Sequence, residues 1–182
     1  MTKWKTVRLG DIAKTNIASY SAKEEWQYVN YLDTGNITYN RIDQIQRLNL
    51  SEEKLPSRAK RKVQYNDIVY STVRPNQCHY GIIKSQPDNF LVSTGFAVIS
   101  VDSSIANADY VFFYLTKKDI VEGLHAIVEQ STSAYPSIKS SDIEQLKIKL
   151  PSLAEQRKIA SILLSLENKM ILSEKINENL VA

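Results

Sequence analysis

The chain has a single cysteine, Cys78, among 182 residues, which excludes an internal disulfide framework and fits a reducing compartment. It opens Met-Thr-Lys-Trp-Lys-Thr-Val-Arg, without the apolar run of a signal peptide. Its longest strongly apolar patch, 159–166, contains serines and is far too short to span a bilayer. A soluble, cytoplasmic chain with no membrane partner is therefore expected. No Gly-rich phosphate loop and no His/Cys cluster occurs, so no metal site, no bound cofactor and no catalytic residue are expected. Cys78 and His79 are adjacent, and their side chains diverge in an extended segment, so they do not form a thiol–imidazole pair. Charge of one sign is also scarce, with a net of only +3.

What charge there is lies unevenly. Residues 1–75 hold 13 Lys and Arg against 8 Asp and Glu, whereas residues 76–182 hold 10 against 12. A basic first half is the electrostatic footprint that nucleic acid requires. That half is rich in short β-prone runs, Tyr28–Leu32 and Ile68–Val73 among them, followed by His79–Ile83 and Phe96–Val101. From Asn107 to about Gly123 the spacing of Tyr110, Phe113, Tyr114 and Leu115 predicts a helix capped by Asn107. Ser141-x-x-Glu144 is a second capping box, predicting a short turn before a strand at Leu146–Leu150. Strands first and helices mostly later predict an α+β fold.

From Pro151 onwards neither Gly nor Pro interrupts the sequence, and Ser152-x-x-Glu155 is a capping box. Ile159, Ile162, Leu163, Leu166, Met170, Ile176 and Leu180 recur at three- and four-residue steps, giving one apolar stripe on a helix roughly 45 Å long. Such a helix is expected to pack against another like itself. Residues 1–151 are expected to form a DNA-binding domain and residues 152–182 a long dimerisation or spacer helix.

Several segments, in order, resemble one family. Trp4-Lys-Thr-Val-Arg-Leu-Gly-Asp-Ile12, Asn66-Asp-Ile-Val-Tyr-Ser-Thr-Val-Arg-Pro-Asn76, Ser93-Thr-Gly-Phe-Ala-Val-Ile99, Asp109-Tyr-Val-Phe-Phe-Tyr-Leu115 and Leu150-Pro-Ser-Leu-Ala-Glu-Gln-Arg-Lys-Ile159 are similar to motifs of specificity subunits from type I restriction–modification systems. Complete subunits of that family carry two recognition domains and two helices. No internal repeat is visible here, so the chain resembles half a subunit. The resemblance implies binding to double-stranded DNA, pairing with a second copy as a homodimer, and association with a methyltransferase subunit and, through the complex, a restriction subunit. S-adenosylmethionine, ATP and magnesium would belong to those partners. Two alternatives stay open: a detached recognition module of a fused restriction–methylation enzyme, and a coiled-coil DNA-binding regulator.

Candidate DNA contacts follow from residue chemistry. Arg58, Lys60, Arg61 and Lys62 put four cations in five residues, suited to phosphates if not a plain solvated loop. Ser71, Thr72, Arg74 and Asn76 sit where a β-prone run ends at a proline; Arg74 fits phosphate, guanine or a structural ion pair. Tyr135, in the polar loop 130–137, fits stacking or gap filling. Seven of the ten tyrosines precede residue 81 in β-prone sequence and read mostly as core, with Tyr20 and Tyr39 as the exposed exceptions.

Overall fold

A computed structural model describes residues 4–131 and 136–181. The chain runs β1 (Lys5–Arg8), β2 (Ala13–Thr15), β3 (Tyr28–Leu32), β4 (Ile37–Thr38), β5 (Arg41–Ile42), β6 (Gln46–Asn49), β7 (Ala59–Lys62), β8 (Ile68–Ser71), β9 (Tyr80–Ile82), β10 (Phe90–Ser93) and β11 (Phe96–Val101). There follow α1 (Ala108–Leu115), α2 (Lys118–Glu129), α3 (Ser140–Glu144), β12 (Lys147–Leu150) and α4 (Leu153–Val181). The fold is α+β, as expected.

Two four-stranded sheets lie face to face. One has the antiparallel order β2-β11-β8-β9; the other has the order β6-β3-β10-β7, in which β3 and β10 run parallel. Strand alternation deals the side chains to two layers. Ile68, Tyr70, Ala97 and Ile99 point to the helices, while Val69, Phe96 and Val98 meet Leu32, Phe90 and Val92 between the sheets. Because both faces of β8 and β11 are covered, these strands read as continuous apolar runs. Tyr20, Trp26 and Leu48 cover the outer face of the second sheet over Val29, Tyr31 and Leu91.

Asn107 caps α1, its Oδ1 accepting from Tyr110 N at 2.9 Å. The single helix expected over 107–123 is two helices. α1 buries Val111, Phe112 and Leu115, α2 buries Val121, Leu124 and Val128, and the break at Thr116–Lys117 lets both stripes reach one core. The short turn expected after Ser141 is helix α3, and its capping box lies two residues earlier, because Asp142 rather than Glu144 closes it, accepting from Lys139 N at 2.7 Å. β1 and β12 form an antiparallel ribbon. Beside it, the hydroxyls of Tyr110 and Tyr114 donate to the carbonyls of Lys149 and Lys147 at 2.6 and 2.7 Å.

The 29 residues of α4 extend about 43 Å. The expectation that α4 has only another helix to pack against is corrected by its root. Gln156 is fully buried: its Oε1 accepts from Asn107 N at 2.9 Å, and its Nε2 donates to Pro151 O at 2.9 Å and Ile105 O at 3.4 Å. Ala160 is buried too, Leu164, Glu167 and Ile171 are half-buried, and Arg41 forms an ion pair with Glu174. Ile159 and Leu163, expected in the intermolecular stripe, are half-buried and border Phe113 of the same chain. Ile162, Leu166, Met170 and Ile176 stay 50–65% exposed, and Leu172 joins them at 58%. The side chain of Leu180 lies outside the described residues. Among the described residues no helix is long and apolar enough to cross a membrane.

Candidate nucleic-acid interface

The basic run 58–62, expected as one phosphate-binding cluster, is strand β7 over residues 59–62, and the strand divides the cations. A register shift places Ala59 opposite Ser93 but Arg61 opposite Val92 and Lys62 opposite Leu91. Lys62 therefore shares the outer face with Leu91, where it pairs with Glu24 and its Nζ lies 5.1 Å from the centre of the Trp26 ring. That pairing holds the Glu24 carboxyl below its usual range. Arg61 is half-buried; its Nη2 donates to Thr94 O at 3.3 Å, its Nη1 is buried without a hydrogen bond, and burial lowers its pKa. Arg58 and Lys60 are the two exposed cations of the run.

The loop after β8 is held by its own short side chains. Ser71 is only 2% exposed, and its hydroxyl donates to Val73 O at 2.8 Å while accepting from Val73 N at 3.3 Å. Thr72 donates from both Oγ1 (2.9 Å) and N (2.8 Å) to Gly95 O, and its carbonyl accepts from Ile138 N. Both hydroxyls thus shape the loop. Beyond them Arg74 adopts a left-handed backbone (φ 49°, ψ 66°), which turns its side chain away from the strand path before buried Pro75. Arg74 and Asn76 are exposed.

The adjoining turns complete this end of the sheets. Thr94 N donates to Arg58 O at 2.8 Å, joining the β10–β11 turn to the start of β7. A Cβ on Gly95 would stand 2.6 Å from Arg58 Nη2 and 2.8 Å from Thr34 Cγ2, so the missing side chain is what lets Arg58 lie across the turn. Nearby, burial pushes the Asp33 carboxyl up, but hydrogen bonds from Thr34 N and Ser93 and the Arg58 charge outweigh it and leave the pKa lowered.

Arg58, Val73 and Arg74 open onto a cleft of about 670 Å³ whose opposite wall is the last turns of α2, with His125, Val128 and Glu129, and Ser137 at its end. His125 Nε2 lies 3.4 Å from Glu129 Oε1, and α2 packs over the turn Pro75–Gln77. Two guanidiniums on rigid turns at the edge of a cleft suit phosphate oxygens, for which their planar forks provide two parallel donors.

Not every expected contact is here. Tyr20 packs on Trp26 with ring centroids 4.6 Å apart, so it is a packing residue. Tyr39 is 62% exposed but sits at the β4–β5 turn beside α4, bordering Arg41 and Glu167. Tyr135 lies outside the described residues. His125, Glu129 and Val73 were missed, because residues from three separate segments meet only in the fold. The one trace in the sequence is the i,i+4 spacing of His125 and Glu129. Among the described residues no cluster of three or more His, Cys, Asp or Glu could hold a metal.

The family described as "Type I restriction modification DNA specificity domain" matches residues 1–182. The type I restriction enzyme HindI specificity subunit of Haemophilus influenzae is 29% identical over 180 residues, covering 99% of this chain and 39% of that protein. The crystal structure of the HsdS subunit from Thermoanaerobacter tengcongensis superposes with a TM-score of 0.80 at 24% identity, over 97% of this chain and 45% of that one. An S subunit of a type I system from M. genitalium gives a TM-score of 0.57 at 15% identity, over 91% of this chain and 39% of that one. The chain thus spans less than half the length of each of these relatives.

Proposed function

This chain belongs to the family of type I restriction modification DNA specificity domains, and on that footing we propose that it reads a DNA sequence for a type I restriction–modification complex. The observation that carries the reading is the cleft at the strand ends, where Arg58 and Arg74 share the lining with His125 and Glu129 of α2. Phosphate contacts by the two arginines would fix the register on the duplex, and the α2 wall of the cleft would meet base edges. Lys60 and Asn76, exposed nearby, would extend the backbone contacts, whereas Lys62 is held by Glu24.

The chain would do no chemistry itself. It would bring a methyltransferase subunit, and through it a restriction subunit, to the target in the cytoplasm. S-adenosylmethionine, ATP and magnesium would be held by those partners. The exposed apolar residues of α4 favour a second copy as a further partner: Ile162, Leu166, Met170 and Ile176 fall within about a third of the helix circumference, beside the face that docks on the domain. Two such helices packed antiparallel about a two-fold axis would present two clefts to inverted half-sites.

The test is co-expression with the methyltransferase subunit of the same system. The expected result is that the two co-purify and that adenine methylation appears only when this chain is present. Methylation at the same sites without the chain would refute the proposal.

A further inference from the structure

Glu129 is out of place in the cleft if every group there serves to hold phosphate. A carboxylate is an acceptor with a full negative charge, and its side chain is 68% exposed beside Arg58 and Arg74. Facing a phosphate it would repel it and oppose both arginines. It forms no ion pair within 4 Å with either arginine among the described residues; its neighbour is the His125 ring one turn back, Nε2 lying 3.4 Å from Oε1. The ring is mostly covered, whereas the carboxylate on the same cleft lining is open to solvent.

An acceptor-only group on a surface that binds a polyanion is stabilised only where the nucleic acid offers a donor. In the major groove the donors are the exocyclic amines of cytosine (N4) and adenine (N6). Adenine places its N7 acceptor next to N6, and the second carboxylate oxygen would face that lone pair. Cytosine places a C–H there instead. Guanine and thymine present O6 and O4 acceptors, which a carboxylate repels. Resting on the proposed reading of the cleft, we infer that Glu129 is a specificity-determining residue that selects cytosine at one position of the half-site, with His125 as its positioning residue. Selection works by attraction to one base and by repulsion of guanine and thymine, while the arginines supply affinity common to all sequences.

The experiment uses the full chain with its co-expressed methyltransferase subunit and a library of duplexes with randomised centres. Parent and Glu129→Gln complexes are compared for base preference at every position. The amide keeps the size of the side chain but can both donate and accept. Expected is a cytosine preference in the parent at a position where the Gln variant loses about tenfold discrimination, other positions being unchanged. If Glu129→Gln keeps the parental preferences and only binds all duplexes more tightly, Glu129 is a charge and not a reader, and the inference is overturned while the proposed function stands. A parent complex that binds DNA with no base preference overturns both.

Discussion

If α4 pairs with a second copy as proposed, replacing Ile162 and Leu166 by Asp should convert that dimer to a monomer without unfolding it. Fully burying an Ile or Leu side chain is worth about 1.5–3 kcal/mol, and these two are 55% and 52% exposed in the single chain, so each has about 1 kcal/mol left to gain from a partner. Two substitutions in each of two chains remove about 4 kcal/mol, close to a thousandfold in the dimer dissociation constant. The new carboxylates add repulsion across a two-fold axis, so this is a lower bound. Sedimentation equilibrium on parent and double variant reads the mass, and circular dichroism reads the fold. Because neither side chain is buried within the chain, the melting transition of the isolated chain should barely move. A parental mass that is monomeric, or a variant that stays dimeric at the same concentrations, would refute the argument.

Neutralising Arg58 and Arg74 should weaken binding to all duplexes and flatten its salt dependence by about one unit per lost phosphate, measured as binding curves at several salt concentrations; Lys62→Ala should leave the slope unchanged, since Lys62 is held by Glu24. Gly95→Ala should lower DNA affinity and destabilise by about 1–3 kcal/mol, as its Cβ pushes on Arg58 and Thr34; thermal melts and binding on one preparation check both. Asp67 is buried, and desolvation raises its pKa above 3.8 despite the hydrogen bond from Gln64 N. The folded state thus holds this proton more tightly than the unfolded one, so its contribution is present at low pH and is lost as pH rises from about 3.8 through the higher folded value. Asp67→Asn should remove that loss, seen as a flatter stability curve in denaturant titrations across acidic pH.

Much of the frame was legible in the sequence. Tyr28–Leu32 and Phe96–Val101 are strands with the expected bounds, and Asn107 caps the expected helix, because each carries a strong local signal. β7 was not legible, since Lys and Arg in three of its four positions mask β propensity and its partner β10 lies thirty residues away. The dual surface of α4 was hidden for another reason: helical periodicity shows that Ile159, Leu163 and Leu166 lie near one another, not which of them meets the chain's own domain. The cleft was the least legible part. Arg58 and Arg74 stood out as cations, but their meeting with His125 and Glu129 depends on the β8 loop turning at a left-handed Arg74 under α2.

The amide of Gln156 acts as a stiff hinge. Turning α4 about its axis would strip three backbone groups of this one side chain, and each buried group left unpaired costs about 1–3 kcal/mol. The helix is therefore a lever fixed in azimuth relative to the cleft, and in a two-fold pair the distance between clefts becomes a ruler. One base pair more or less between half-sites moves a site by about 3.4 Å and rotates it by about a tenth of a turn. With no soft joint at the root to absorb that rotation, the assembly should count base pairs: it should accept one gap length in a palindromic target and reject its neighbours, even when every base it touches is correct.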